Sequence, residues 1–191
     1  MFRAKTINNL LSESECSDIV WVAENSGLWE KTPGNEYWDE RAISINTIYS
    51  KFHRDLGDFI RDKTFEIKSY IEKEYGLDKE VYADTASICR WFPGSSQTPH
   101  ADNMIVHGVT GFEHRVFASI IYLNIGYTGG KTYYPNQNFE ITPEVGKVAI
   151  HPGDEEHLHG VSLIDGGMRY TIASFWTYDK ERSIDWSIFE R

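Results

Sequence analysis

The sequence has few cysteines and no long apolar run. Its 191 residues include two cysteines, Cys16 and Cys89, whose separation matches neither a metal-binding nor a disulfide pattern. The first twenty residues lack an apolar signal core, and no apolar stretch reaches the length of a membrane span. We therefore expect a cytoplasmic protein in a reducing compartment, with no disulfide framework and no membrane association.

Basic residues are scarce relative to acidic ones. The chain has 19 Lys and Arg against 29 Asp and Glu, which gives a net charge of −10. A surface of this sign repels phosphate polymers, so we expect no nucleic-acid partner, and a neutral or cationic substrate is favoured. The charge says nothing about the oligomeric state.

Aromatic residues, by contrast, are plentiful and make up 14% of the chain. Together with a hydrophobic fraction of 40%, they indicate a packed and sheet-rich interior. The first part of the chain reads as helical. Ser12 and Glu15 form a capping-box pattern that predicts a helix start. Apolar residues at steps of three and four predict one long helix over residues 50–75, ended by Gly76.

Short strand-like segments separated by turn residues fill most of the rest. We predict strands over residues 6–11, 42–48, 84–92, 98–103, 114–124, 131–134, 138–142, 147–151, 157–163 and 168–177. The last eight of these strands follow the helices, and about eight short strands after flanking helices are typical of a double-stranded β-helix, the cupin-like jelly roll. We therefore expect a single, mainly β domain over residues 1–191, with helical support over 1–80 and the jelly-roll core over 81–178.

Two short histidine motifs carry the chemistry. Residues i and i+2 of a strand project to the same face, so His100 and Asp102 are predicted to bind one ion. A second histidine comes from His157 or His159, which the same rule places on one face of a later strand. Two histidines and a carboxylate leave three positions of octahedral iron(II) open for a bidentate 2-oxo acid and O₂. The same ligands also suit a zinc hydrolase, and the motifs alone do not decide between them.

The segment from His159 to Thr171 resembles the distal motif of the prolyl 4-hydroxylase-like 2-oxoglutarate oxygenases. In that family a histidine is followed about ten residues later by Arg-Tyr, as His159 is here by Arg169 and Tyr170. Three more segments are similar, in the family's order: Ile-Tyr-Leu-Asn at 121–124, Gly-Gly-Lys-Thr-Tyr-Tyr-Pro at 129–135, and the run 139–148. The resemblance covers roughly residues 80–178 well and 5–25 faintly.

The resemblance implies an Fe(II)- and 2-oxoglutarate-dependent dioxygenase. His100, Asp102 and His159 are then the catalytic metal ligands, and the spacing to Arg169 favours His159 over His157. Such enzymes use O₂ to convert 2-oxoglutarate to succinate and CO₂ while they hydroxylate an unactivated C–H bond, and ascorbate is expected to support turnover. Halogenating relatives have a small residue at the position of Asp102, so hydroxylation is expected here.

The resemblance also implies how the cosubstrate binds. Arg169 is expected to pair its planar fork with the distal carboxylate of 2-oxoglutarate, assisted by Tyr122 and by Thr171 on the same strand face. Many relatives have a tyrosine just before the turn that leads to the His-x-Asp motif. This chain has Trp91-Phe92 there, so the near side of the cosubstrate must be held in another way.

The substrate is less well defined. The family pattern suggests a prolyl residue in a peptide or protein, and a free amino acid or another small metabolite is the second candidate. The side chains expected near the substrate are Arg115, Asn103, His107, His157 and Trp176. Two other classes remain as alternatives, a zinc-dependent hydrolase and a non-catalytic cupin-like binding protein.

Overall fold

The computed structural model describes residues 3–35, 37–104 and 112–190. Its three helices are α1 (Glu13–Ser26), α2 (Ile45–Lys51) and α3 (Arg54–Glu74). Its strands are β1 (Lys5–Ile7), β2 (Ala42–Ser44), β3 (Tyr82–Trp91), β4 (Gln97–His100), β5 (Arg115–Tyr122), β6 (Thr128–Gly129), β7 (Thr132–Tyr134), β8 (Phe139–Ile141), β9 (Val148–Pro152), β10 (His159–Val161), β11 (Ile164–Gly166) and β12 (Arg169–Thr177). Within the described ranges, no helix combines the length and apolar character needed to cross a membrane.

Two antiparallel sheets form the core. The larger has the order β1-β9-β5-β12-β3-β2, the smaller has β4-β10-β7-β8, and β6 pairs separately with β11. Tyr122 and Ala149 of the larger sheet are buried in one cluster with Tyr134 and Ile141 of the smaller sheet. Because side chains from both sheets fill the space between them, the predicted mainly β, jelly-roll fold class is confirmed.

The helices cover the other face of the larger sheet. Ile60, Ile67 and Ile71 lie on one side of α3, and they are buried in a single core with Ile88 of β3 and Ile172 of β12. Each such side chain stabilises the fold by roughly 1.5–3 kcal/mol through its removal from water. The first eighty residues also supply β1 and β2, the two edge strands of this sheet.

Capping side chains set the helix starts. The predicted start after Ser12 is confirmed, since its hydroxyl accepts from the Glu15 N–H (3.3 Å) and the Glu15 carboxylate accepts from the Ser12 N–H (2.7 Å). The single helix predicted over residues 50–75 is wrong, because the chain leaves the helix at residues 52–53. His53 then caps α3, with its Nδ1 accepting from the Leu56 N–H at 3.1 Å. Apolar spacing alone does not reveal such a cap.

Several strands are shorter than predicted. The run over residues 42–48 is a strand only to Ser44, whose hydroxyl accepts from the Thr47 N–H (3.2 Å) and starts α2. β1 ends at Ile7, β4 ends at His100 and β10 begins only at His159. The two-strand pair of β6 and β11 was not predicted, because strands of two and three residues leave almost no alternating pattern.

Gly146 is required by the turn that leads into β9. Its φ is +74°, and its carbonyl accepts from the Leu10 N–H at 2.9 Å. A Cβ at this position would lie 1.9 Å from the Leu11 carbonyl oxygen, which is part of the backbone and cannot move away cheaply. We therefore expect Gly146→Ala to lower the free energy of unfolding by about 3 kcal/mol or more.

Gly27 provides a matched control for this substitution. Its φ is +65°, and a Cβ added there would have no atom of the described residues within 4 Å. Gly27→Ala should therefore cost only the left-handed backbone penalty of about 1–2 kcal/mol. Urea unfolding of both variants measures the difference, and equal losses would show that the Leu11 contact is unimportant.

Candidate active site

The three predicted metal ligands converge where β4 meets β10. His100 and His159 are register partners across these strands, and Asp102 follows β4 in a turn. The Asp102 Oδ1 atom lies 3.6 Å from His100 Nε2 and 3.8 Å from His159 Nε2. Both distances are too long for hydrogen bonds. The three ligand atoms all lie within 4.8 Å of one another, a spacing at which the group could hold one metal ion.

The backbone around the metal ligands differs from the predicted strands. Asp102 lies beyond the end of β4, and His157 lies in a 3-10 turn, Glu155–His157, before β10 begins. The argument that each pair shares one strand face is therefore wrong. The chain turns at the points where strand alternation was assumed to continue.

Backbone carbonyls orient both histidine rings. The Nδ1 atom of His100 lies 3.1 Å from the Thr98 carbonyl, and that of His159 lies 3.3 Å from the His157 carbonyl. A carbonyl can only accept, so Nδ1 carries the proton in each ring and Nε2 keeps its lone pair. Both Nε2 atoms face Asp102. The Gln97 amide also approaches His100 Nε2, at 3.4 Å.

The electrostatics favour the ligand forms of all three side chains. Burial lowers the pKa of His159 to about 4, and the nearby His151 adds to this shift. Burial also lowers the pKa of His100, with His159 as the second cause. Burial alone would raise the pKa of Asp102, but His159 and the hydrogen bond from His151 outweigh it and hold that pKa below its usual value. Neutral imidazoles and an ionised carboxylate are the forms that bind a metal.

A third histidine at this site, His151 of β9, was missed in the sequence. It is fully buried, and its Nε2 lies 3.2 Å from the other carboxylate oxygen of Asp102, Oδ2. Its Nδ1 lies 2.9 Å from the Tyr134 hydroxyl, so the hydroxyl donates to Nδ1 while Nε2–H donates to Asp102. These bonds turn Oδ1 toward His100 and His159. The sequence could have indicated His151, because a histidine inside an otherwise apolar strand is buried and needs a polar partner.

We expect His151→Phe to weaken metal binding by about 10- to 100-fold, because the partner that orients the Asp102 carboxylate is lost. Anaerobic titration with Fe(II), or titration with Mn(II) in air, measures the affinity. Tyr134→Phe is the matched control, since it removes only the outer hydrogen bond and should have a smaller effect. An unchanged affinity in His151→Phe would contradict an orienting role.

The predicted cosubstrate anchor, Arg169, is only 1% exposed at the start of β12. Its guanidinium carbon lies 5.2 Å from the ring centroid of Trp91 and 5.4 Å from that of Tyr122. Its Nε and Nη2 atoms are buried and have no hydrogen-bond partner among the described residues. A buried cation without hydrogen-bond partners is costly, so this guanidinium suits a bidentate anion such as a carboxylate.

Two neighbours of Arg169 also have unsatisfied polar atoms. The indole N–H of Trp91 and the hydroxyl of Tyr127 are buried without a partner in the part of the chain that the structure describes. Tyr127 was not identified from the sequence. It belongs to no strand, and only its position just before Gly129-Gly130 could have suggested it.

Tyr122 lies beside Arg169, and Thr171 is next to Tyr122 in the sheet. The Tyr122 hydroxyl lies 2.7 Å from Thr132 Oγ1, and burial raises the pKa of Tyr122 although Arg169 opposes the shift. Thr171 is buried and pairs with Tyr122 in the register of β12 and β5. Contact of either side chain with a cosubstrate stays a prediction.

The predicted substrate residues are dispersed. Asn103 follows Asp102, and its N–H donates to the Gly153 carbonyl at 3.0 Å. His157 is buried, and its Nδ1 contacts the Asp154 carboxylate at 2.5 Å, outside the metal group. Trp176 lies in the main core beneath the helices, where its indole N–H donates to Ser119. His107 lies outside the described residues.

Arg115 is already engaged within the protein. Its Nε donates to the buried Asp84 carboxylate at 3.0 Å, and its guanidinium carbon lies 4.1 Å from the Phe112 ring and 3.8 Å from the Phe175 ring. His114 contacts the same Asp84 oxygen at 2.8 Å. The role of Arg115 in substrate binding stays a prediction.

No family sequence model matches the chain, and no curated protein sequence matches it. Solved structures do. A prolyl hydroxylase from Trichoplax adhaerens, in complex with a hypoxia inducible factor oxygen degradation domain peptide fragment, has a TM-score of 0.69 at 20% identity, covering 94% of this chain and 85% of its own. A viral collagen prolyl hydroxylase from Paramecium bursaria Chlorella virus-1, in complex with 2-oxoglutarate, has 0.68 at 19%, covering 93% and 96%.

A Pseudomonas putida prolyl-4-hydroxylase is also similar, with a TM-score of 0.65 at 14% identity and 91% of each chain covered. Identities this low establish a common fold and leave the reaction open. The chain therefore has the fold of the prolyl hydroxylases and other 2-oxoglutarate, iron(II) oxygenases, as the resemblance of its motifs indicated.

Proposed function

We propose that this protein is an Fe(II)- and 2-oxoglutarate-dependent dioxygenase that hydroxylates an unactivated C–H bond. His100, Asp102 and His159 would hold the metal through two nitrogens and one oxygen, a set that suits iron(II). When bound, iron and 2-oxoglutarate supply the activation of O₂, with succinate and CO₂ as the products from the cosubstrate.

The observation that carries this proposal is the unpaired guanidinium of Arg169. A zinc hydrolase needs no buried cation with two free N–H donors, whereas a dicarboxylate cosubstrate requires one. The separation between the metal ligands and Arg169 also suits 2-oxoglutarate. Thr132 of β7 contacts Tyr122 beside Arg169, and Tyr134 of β7 contacts His151 beside the metal ligands. Two residues along a strand span about 7 Å, which suits a five-carbon dicarboxylate between the metal and Arg169.

The remaining side chains of the site bind and orient. Asp102 and His159 are buried, which limits the access of water to the metal and strengthens electrostatic contacts there. The tautomers of both histidines are set by backbone carbonyls, so the Nε2 atoms need no rearrangement before metal binding.

For the substrate we propose a prolyl residue in a peptide, with a free amino acid or a similar small metabolite as the second candidate. Three structural neighbours are prolyl hydroxylases, and one of them is in complex with a peptide fragment. The net charge of −10 favours a neutral or cationic substrate over an anionic one.

Succinate release from 2-oxoglutarate tests the function. The purified protein is supplied with Fe(II), ascorbate and O₂, with and without a panel of proline-containing peptides and free amino acids. We expect succinate release that depends on iron and rises with one member of the panel, with the product heavier by one oxygen atom. Hydrolytic activity with Zn(II) and indifference to 2-oxoglutarate would favour a zinc hydrolase. Absence of any turnover or 2-oxoglutarate binding would favour a non-catalytic binding protein.

A further inference from the structure

Tyr127 lies in the connection between β5 and β6, and both its ring and the Arg169 side chain lie close to Gly130. A Cβ built on Gly130 would lie 2.8 Å from Tyr127 Cε2 and 3.1 Å from Arg169 Cδ. The two side chains therefore meet over Gly130, where only the absence of a side chain leaves them room. Tyr127 also packs against a small buried cluster that contains Trp91 and Ile164.

The hydroxyl of Tyr127 is buried, and no described residue accepts a hydrogen bond from it. The Arg169 side chain lies close enough to donate to the hydroxyl oxygen, but an arginine cannot accept, so the hydroxyl hydrogen has no acceptor. Buried tyrosine hydroxyls usually have one. Burial raises the pKa of Tyr127 to about 12, against the opposing effects of the Arg169 charge and of hydrogen bonding by the Arg169 side chain. The group is therefore a neutral O–H near neutral pH, and it is free to donate.

Three hydrogen-bond donors that lack an acceptor lie close together here, and one carboxylate can accept from all three. Arg169 Nε and Nη2 form a two-pronged fork, and the Tyr127 hydroxyl is a third donor beside the same guanidinium. A carboxylate has about four lone-pair sites on its two oxygens, so it can accept from the fork and from a further donor at once. The Tyr122 hydroxyl is in a different position, because it already contacts Thr132 Oγ1 at 2.7 Å.

We propose that the Tyr127 hydroxyl donates a hydrogen bond to the distal carboxylate of 2-oxoglutarate, together with Arg169. Tyr127 is thus a determinant of cosubstrate specificity, which selects 2-oxo acids that end in a carboxylate. This inference rests on the proposed function, and it concerns a residue that the motifs did not identify.

Binding of two 2-oxo acids without turnover tests the inference. Protein loaded with Mn(II), or with Fe(II) under anaerobic conditions, is titrated calorimetrically with 2-oxoglutarate and with pyruvate, which has no distal carboxylate. Tyr127→Phe should raise the dissociation constant for 2-oxoglutarate by about tenfold or more, because a hydrogen bond to a charged group is lost. The weak binding of pyruvate should be unchanged, as should the metal affinity.

Tyr178→Phe is the matched control, because this tyrosine is exposed and lies beyond β12. Tyr127→Leu removes the same hydroxyl with a different change in packing, and it must show the same selectivity between the two ligands. If wild-type protein binds 2-oxoglutarate and Tyr127→Phe binds it within twofold of wild type, the inference is overturned. An equal loss for both ligands also overturns it. If wild-type protein binds no 2-oxoglutarate, the proposed function itself fails.

Discussion

Alanine at position 159 is expected to abolish turnover of 2-oxoglutarate, whereas His157→Gln should retain most of it. His159 Nε2 lies 3.8 Å from the Asp102 carboxylate, and the His159 ring lies 4.5 Å from the ring of His100. The His157 imidazole instead contacts Asp154 and is not part of the metal group. Loss of a direct ligand should cost more than the 10- to 100-fold typical of residues that only orient one, so we expect a decrease of about 10³-fold or more.

The pair is a sharp test because the two histidines are only two residues apart in the same segment. Iron content and succinate release are measured on both variants, with circular dichroism to confirm folding. His159→Ala should lose bound iron and activity together. Retention of both in His159→Ala, or their loss in His157→Gln, would falsify the assignment of His159 as the third ligand.

Replacing Arg169 by methionine is expected to destroy cosubstrate binding and yet to stabilise the ligand-free protein. The buried guanidinium forms no ion pair with any described residue, and two of its nitrogens lack hydrogen-bond partners. The nearby rings of Trp91 and Tyr122 offset only part of the cost of burying this charge. An apolar side chain of similar length removes that cost, so the free energy of unfolding should rise by about 1 kcal/mol.

The same substitution should raise the dissociation constant for 2-oxoglutarate by about 100-fold or more, since a bidentate pair with a carboxylate is lost. Urea unfolding with and without 2-oxoglutarate measures both effects, because a ligand that binds only the folded state stabilises it. Arg169→Lys keeps the charge but lacks the planar fork. Without ligand it should be no more stable than wild type, and it should bind 2-oxoglutarate no more tightly. Lower stability of ligand-free Arg169→Met would show that the guanidinium has a partner of its own.

The accuracy of the sequence-based predictions depends on how local each feature is. The Ser12 capping box is confirmed because both partners lie within one helical turn. The helix over residues 50–75 was predicted as continuous because apolar spacing carries on across the break at His53. The strand-face argument for Asp102 and His157 was wrong because each residue lies just outside a strand, and strand ends are the least determined part of a pattern.

The sequence by itself indicated the fold class and, through the resemblance of its motifs to a known family, drew attention to His100, Asp102, His159 and Arg169. Only the tertiary structure decided how they are supported. His151 is 49 residues from Asp102, and Tyr127 is 42 residues from Arg169. No local pattern relates such pairs. Their proximity comes from the pairing of distant strands. Burial then requires each polar group to be hydrogen-bonded, either within the protein or by a ligand.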